Sequence, residues 1–138
     1  MDIRTIEDKI IDAMEGLRIF STVQSAGRKV IPPVYAYPAC FVFFDGDKDT
    51  GSIPRPIDDV SFSVVIQIQN MAVEHQAARD AYAINDLVRS ALRVKTLGLA
   101  NIEPFVCASR QCSGYDDSEG VIEYTHTYTT RLYQSVVT

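Results

Sequence analysis

The residues best suited to chemistry in this sequence are the carboxylates of an acidic segment, residues 45–59. It begins Asp-Gly-Asp-Lys-Asp-Thr-Gly and places carboxylates at alternate positions, as calcium-binding loops do. The sixth position is Thr50, where such loops need glycine, and the twelfth is Pro56, where they need a bidentate glutamate. We therefore expect a long, mobile, solvated connection that binds no calcium.

Thiols and imidazoles are too few and too widely spaced for a zinc site. The sequence contains no C-x-x-C pair and no H-x-x-x-H pair. Cys107 and Cys112 are five positions apart on or near one predicted strand, so their side chains leave opposite faces if the strand is regular. We expect these thiols and Cys40 to be reduced packing residues, and His75 and His126 to lie on the surface.

Signatures of common catalytic centres are also absent: there is no G-x-S-x-G, no P-loop and no G-x-G-x-x-G. The adjacent carboxylate pairs, at 58–59 and 116–117, fall in polar stretches, where adjacency normally means solvation and not an acid–base pair. We predict no catalytic residue, no cofactor and no metal ion, and we predict that the protein is not an enzyme.

Tyrosines of the last segment are the remaining candidates for a binding site. Tyr124, Tyr128 and Tyr133 could stack on nucleic-acid bases, but the formal net charge of -5 disfavours contact with phosphates. Cross-strand packing and a protein interface are the alternatives for these rings.

Length and composition limit the classes of protein further. The chain has 138 residues, of which 46% are hydrophobic and 22% charged, which is typical of one globular domain and not of a disordered chain. No apolar run reaches the roughly 18 residues that cross a bilayer, and the charged N-terminus has no signal-peptide core. We expect no membrane association.

Hydrophobic periodicity then predicts the elements. Helical spacing is found over residues 2–17 and from about residue 70 to 94, whereas short apolar or alternating runs predict strands. The strands are expected near 19–24 and over 39–44, 60–69, 105–111 and 121–136. The buried stripe of the second helix is expected to comprise Ala77, Ala81, Ile84, Leu87, Val88, Ala91 and Leu92. The order favours a single α+β domain, a mainly antiparallel sheet with two helices packed on one face.

Two candidate interaction regions follow from this arrangement. The acidic connection supplies a candidate interface loop: Asp45, Asp47, Lys48, Asp49, Arg55, Asp58 and Asp59. The strand over 60–69 alternates apolar and polar residues, so one face should pack on the helices while the other is wet or contacts a partner. The candidate interface strand face comprises Ser61, Ser63, Gln67 and Gln69.

Five segments in the order helix, strand, strand, helix, strand span almost the whole chain. They read IEDKIIDAM, PACFVFF, FSVVIQIQN, ARDAYAINDLVRSAL and IEYTHTYTTRL. In order, spacing and hydrophobic pattern they resemble the tail-terminator-like proteins of contractile-tailed phages and Mu-like prophages. FSVVIQIQN and ARDAYAINDLVRSAL carry most of the similarity, and none of the five is a catalytic motif.

The resemblance implies a structural virion protein that is assembled in the cytoplasm of a bacterial host. It implies a homo-hexameric ring that caps the head-proximal end of the tail tube and sheath, stops polymerisation and forms the joint to a neck or head-completion protein. DNA would pass through the lumen without specific binding. Two alternatives stay open: a non-viral protein-binding α+β domain, and a small-molecule enzyme whose site is assembled from scattered residues.

Overall fold

The architecture is given by a computed structural model that describes residues 3–25, 36–49, 57–69, 74–116 and 118–133, and only the backbone of 74–80. Two helices and five strands follow one another along the chain. They are α1 (Ile3–Gly16), β1 (Thr22–Ser25), β2 (Ala39–Asp49), β3 (Ile57–Gln69), α2 (Glu74–Leu92), β4 (Val106–Asp116) and β5 (Val121–Tyr133).

The strands form one sheet in the order β1-β2-β3-β5-β4. The short β1 runs parallel to β2, and every other neighbouring pair is antiparallel. Side chains of both helices share one buried cluster with a single face of the sheet. The predicted α+β fold, with a mainly antiparallel sheet and two helices on one face, is confirmed.

Helix α1 packs as its periodicity predicts. Ile6, Ile10 and Met14 recur at spacings of four and are fully buried. The helix ends where Arg18 adopts a left-handed conformation with φ of 56°, and its N–H donates to the carbonyl of Glu15 at 3.1 Å. The opposing stripe on β3 is the predicted one: Val60, Phe62, Val64, Ile66 and Ile68.

The opposite face of the sheet carries a second, smaller apolar cluster. Ala39, Phe41, Phe43 and Val65 are buried there, with Tyr37 packed beside them. Strand β2 is therefore apolar on both faces in its first half, as predicted for a buried strand. This part of the face, which was expected to be wet or to contact a partner, is therefore not wet.

The prediction of one long connection over residues 45–59 is wrong. Strand β2 continues to Asp49 and β3 begins at Ile57, so Asp47 pairs with Val60 and Asp49 pairs with Asp58. A register shift between Phe44 and Gly46 accommodates the change in pattern. The ladder extends beyond the core because its hydrogen bonds are made by the backbone and do not require apolar side chains. Residues 50–56, including Arg55, lie outside the described residues.

Helix α2 departs from its predicted stripe. Ala81, Val88 and Leu92 are buried as expected, but Leu87 is 46% exposed and Asn85 is buried in its place. The reason is His126 of β5, which lies beneath the helix within hydrogen-bond distance of Asn85. The side chain of Ala77 and residues 70–73, where the helix was predicted to begin, lie outside the described residues.

Candidate functional site

The predicted interface face of β3 is largely occupied by contacts within the chain. Ser63 and Gln67 are buried. The hydroxyl of Ser63 donates to the carboxylate of Asp45, and Nε2 of Gln67 donates to Oε2 of Glu123 at 2.9 Å. The two remaining residues of this face are the half-buried Ser61 and the exposed Gln69.

The structure brings part of the predicted acidic loop together at the paired ends of β2 and β3. Asp47 and Asp49 are exposed, and their cross-strand partners are Val60 and Asp58. Because Val60 points toward the helices, alternation places all three carboxylates on the helix-bearing face. We call Asp47, Asp49 and Asp58 the acidic strand end.

The other charged residues of this hairpin belong to the opposite face. Lys48 is exposed and lies across from Asp59, whose Oδ1 is 3.2 Å from Nε of Arg131 on β5. Both partners of this ion pair are well exposed, so it contributes little to stability. The candidate loop residues are therefore divided between the two faces of the sheet.

A buried polar network links α2 to β5. His126 is fully buried, with Nε2 2.9 Å from Oδ1 of Asn85 and Nδ1 2.8 Å from the hydroxyl of Tyr128. With Oδ1 of Asn85 as acceptor, the network assigns the proton to Nε2, and the Tyr128 hydroxyl donates to Nδ1. The prediction that His126 lies on the surface is wrong. His75 lies among the residues without described side chains.

The electrostatic environment holds this imidazole neutral. Burial, and then the nearby guanidinium groups of Arg110 and Arg89, lower the pKa of His126 to about 4. Burial also raises the pKa of Tyr128. Neither group changes its protonation state near neutral pH, and the hydrogen bond between His126 and Asn85 holds α2 on the sheet.

The alternation of buried and outward residues along β5 indicates that His126 is buried, although histidine is usually found at the surface. The inward positions of β5 are the even-numbered ones, as buried Ile122, Tyr128 and Leu132 indicate. Alternation places His126 in the same row. Helical spacing contains a similar signal for its partner Asn85, which lies four residues after buried Ala81 and three before buried Val88.

The cysteines are more exposed than predicted. Cys40 is buried, and burial raises the pKa of its thiol, but Cys107 is half-buried and Cys112 is exposed. Cys107 pairs with Tyr128 and Cys112 with Tyr124, so both thiols are on the helix-bearing side. Opposite faces were expected only for a regular strand, and β4 is not regular: it contains two register shifts, and the first changes the alternation between the two residues.

The exposed apolar side chains concentrate around α2 and the edge strand β4. Of five large exposed hydrophobic residues in the described chain, four are here: Tyr82, Leu87, Val94 and Val106. Among the described strands β4 pairs only with β5, so it is an edge strand of the sheet. We call the side of α2 that faces β4, with Tyr82, Val94 and Val106, the α2–β4 surface. Exposed apolar patches of this kind mark interaction sites.

Two clefts lie on the α2–β4 surface. One has a volume of about 320 Å³ and is lined by Tyr82, Cys112 and Tyr124, among others. The other, of about 520 Å³, contains the guanidinium-bearing side chains of Arg89 and Arg93. Arg110 lines both clefts, and its Nη1 is 2.9 Å from Oδ1 of Asp86. We call the second cleft the arginine groove.

The described residues contain neither a cluster of metal ligands nor a membrane-spanning helix. Within the described ranges, no three His, Cys, Asp or Glu side chains are close enough to hold one ion. Neither described helix has the length and apolar character needed to cross a bilayer.

Comparison with known proteins gives a structural match only. No protein-family model matches the chain, and no curated protein matches it. Among solved structures, the fold is similar to a chain in the virion of a native gene transfer agent particle, with a TM-score of 0.66 and 10% sequence identity. The match covers 93% of this chain and 94% of the other. At this identity the likeness establishes a shared fold across nearly the full length of both chains.

Proposed function

We propose that this protein is a structural virion protein of a phage or phage-derived particle, and within that class a tail terminator. The observation that carries the proposal is the fold shared over almost the entire length of a chain from a gene transfer agent virion. The tail-terminator assignment is supported by the resemblance of the five sequence segments. In this role the protein forms a hexameric ring on the head-proximal end of the tail tube and sheath and joins it to the neck.

The α2–β4 surface is suited to subunit contacts. A ring is built from heterologous interfaces, in which one patch of each subunit meets a different patch of the next. The edge strand β4 and the exposed Tyr82 and Val106 provide one such patch. The net charge of -5 is compatible with DNA passing through the lumen without sticking.

The test is assembly with the tail-tube protein of the same particle. We expect the purified protein to sediment as a hexamer, or to form one on tubes, to bind one end of each tube, and to stop its elongation. Image averaging of complete particles should place six copies at the head-proximal end. A protein that stays monomeric, binds no tubes and leaves elongation unchanged would refute the assignment.

A non-viral protein-binding domain would use the same α2–β4 surface, and so would differ in stoichiometry rather than in the residues exposed. It would bind one foreign polypeptide per chain and would not self-associate. Sedimentation with and without tube protein therefore separates the two functions. For an enzyme, the cleft of about 320 Å³ near Cys112 is the place to look for a bound small molecule.

A further inference from the structure

The arginine groove concentrates positive charge on an acidic protein. Arg89 lies in the last turn of α2, Arg93 directly follows that helix, and Arg110 faces them from β4. Among the described residues, Arg110 shares its charge with Asp86, and neither Arg89 nor Arg93 has an ion-pair partner. Guanidinium groups bind carboxylates with matching planar geometry, so the groove is suited to an acidic ligand.

The groove also has apolar walls. Val94 and Val106 line it and are 68% and 60% exposed. An inorganic anion would leave both side chains in water, whereas a polypeptide segment would cover them. The combination of guanidinium groups and exposed valines therefore favours an acidic stretch of protein.

The acidic strand end is a stretch with this chemistry in the same chain. Asp47 and Asp49 are exposed on one face of β2, and Asp58 lies directly across from Asp49 on β3. These carboxylates supply the charge complementary to the guanidinium groups of the groove.

The sheet order separates the two surfaces within one subunit. Strand β2 and strand β4 lie on opposite sides of the central strand β3, with both β3 and β5 between them. Three strand spacings correspond to roughly 14 Å. The groove and the strand end are therefore two different patches on the helix-bearing face of one subunit. A head-to-tail contact between copies joins two different patches, and such contacts close into rings when the rotation permits.

We propose that the arginine groove of one subunit receives the acidic strand end of the next copy of this chain. Arg89, Arg93 and Arg110 bind the carboxylates of Asp47, Asp49 and Asp58, and the incoming strand covers Val94 and Val106. This inference rests on the proposed function in that both require the chain to associate with itself. It adds the two patches that form the interface.

Paired charge reversals test this interface. One variant carries Arg89→Glu and Arg93→Glu, and the other carries Asp47→Lys and Asp49→Lys; all four side chains lie outside the buried core. In each variant alone, groove and strand end carry the same sign. We expect self-association, in solution or on tail tubes, to weaken by roughly tenfold or more, since reversal of interfacial charges costs several kcal/mol. Mixed one to one, the variants present opposite signs at every contact, and assembly should return.

Matched controls use exposed residues of α1. Arg4→Glu with Lys9→Glu reproduces the charge change of the groove variant, and Asp12→Lys with Glu15→Lys reproduces that of the strand-end variant. We expect both controls to assemble as the wild type does. Thermal unfolding of every variant, followed by circular dichroism, shows that a loss of assembly is not a loss of fold.

The outcomes separate this interface from the proposed function. If the groove variant or the strand-end variant forms rings as well as the wild type does, the interface is overturned and the ring is left intact. A mixture of the two variants that does not restore assembly has the same consequence. A wild-type chain that neither self-associates nor binds tubes would overturn both. Binding of a duplex oligonucleotide that is lost with Arg89→Glu and Arg93→Glu would make the groove a phosphate site and would also overturn the interface.

Discussion

The two helices are held on the same face of one sheet in different ways. Helix α1 buries Ile6, Ile10 and Met14 completely and contacts β1 and β2. Helix α2 contacts β5 and β4, buries a polar Asn85 against His126, and leaves Leu87 exposed. One helix therefore uses its apolar side chains to hold the fold, while the other keeps part of them available at the surface.

The difference has an energetic consequence. Full burial of an aliphatic side chain stabilises a protein by roughly 1.5–3 kcal/mol, whereas a satisfied hydrogen bond contributes about 0.5–1.5 kcal/mol net. Replacement of apolar by polar contacts beneath α2 lowers the stabilisation per residue there. The attachment of α2 to the sheet therefore depends on pH and on individual hydrogen bonds. Substitutions in the two helices and denaturation at different pH values test this contrast.

The largest effect is expected in α1. Ile10→Asp should lower the free energy of unfolding by roughly 4 kcal/mol or more, because it places a charge in a fully buried apolar site. Val64→Asp and Val88→Asp should behave similarly. The matched change on the exposed side of α2, Leu87→Asp, should alter stability by about 0.5 kcal/mol or less. Urea denaturation measures all four, and a stable, soluble Ile10→Asp protein would contradict the contrast.

The next effect is the pH dependence of the α2 attachment. The pKa of His126 is about 4 in the folded protein against an ordinary 6.5, so the unfolded chain binds more protons between these values. Stability should be constant above pH 6.5 with respect to this group. It should then fall by up to about 3 kcal/mol as the pH decreases to 4.

Denaturation at a series of pH values checks this dependence, with His126→Gln as the variant that removes the titrating ring. The variant should be less stable near pH 7 but should lose less stability between pH 6.5 and 4. If wild type and variant have the same slope in this window, His126 is protonated in the fold and the assigned network is wrong.

A smaller effect is expected when the helix side of the network is removed. Asn85→Ala leaves Nε2 of His126 without its acceptor and should cost about 1–3 kcal/mol. The adjacent Asp86→Ala breaks an exposed ion pair with Arg110 and should cost about 1 kcal/mol or less. Equal losses in thermal denaturation would mean that the buried hydrogen bond does not hold α2.

The smallest effect on stability is predicted for the outer side of α2. Leu87→Ser should change the free energy of unfolding by about 0.5 kcal/mol or less, because the side chain is already 46% exposed. Its effect should appear in assembly, since Leu87 is an exposed apolar side chain on the outer side of α2. Urea denaturation measures the free energy of unfolding, and sedimentation measures assembly. A loss of stability above about 2 kcal/mol would place Leu87 in the core instead.

Much of the fold could be predicted because its elements have strong periodicity. The stripes of α1 and β3 carry apolar residues at helical and alternating spacing, and both are buried as expected. The candidate site was harder to predict from the sequence. Residues 45–59 have a polar composition, and composition alone cannot show that 45–49 and 57–59 are paired strands. The pairing depends on the backbone register between β2 and β3.

The amino-acid sequence by itself determined the class of fold, the order of the elements and the main core, because hydrophobic periodicity is a local property of the chain. Only the tertiary structure decided that His126 is buried against Asn85, 41 positions away, and that register shifts in β4 place Cys107 and Cys112 on one side. It also decided that the exposed Tyr82 of α2 lies beside the edge strand β4. These features arise from contacts between elements far apart in sequence, which no local pattern encodes.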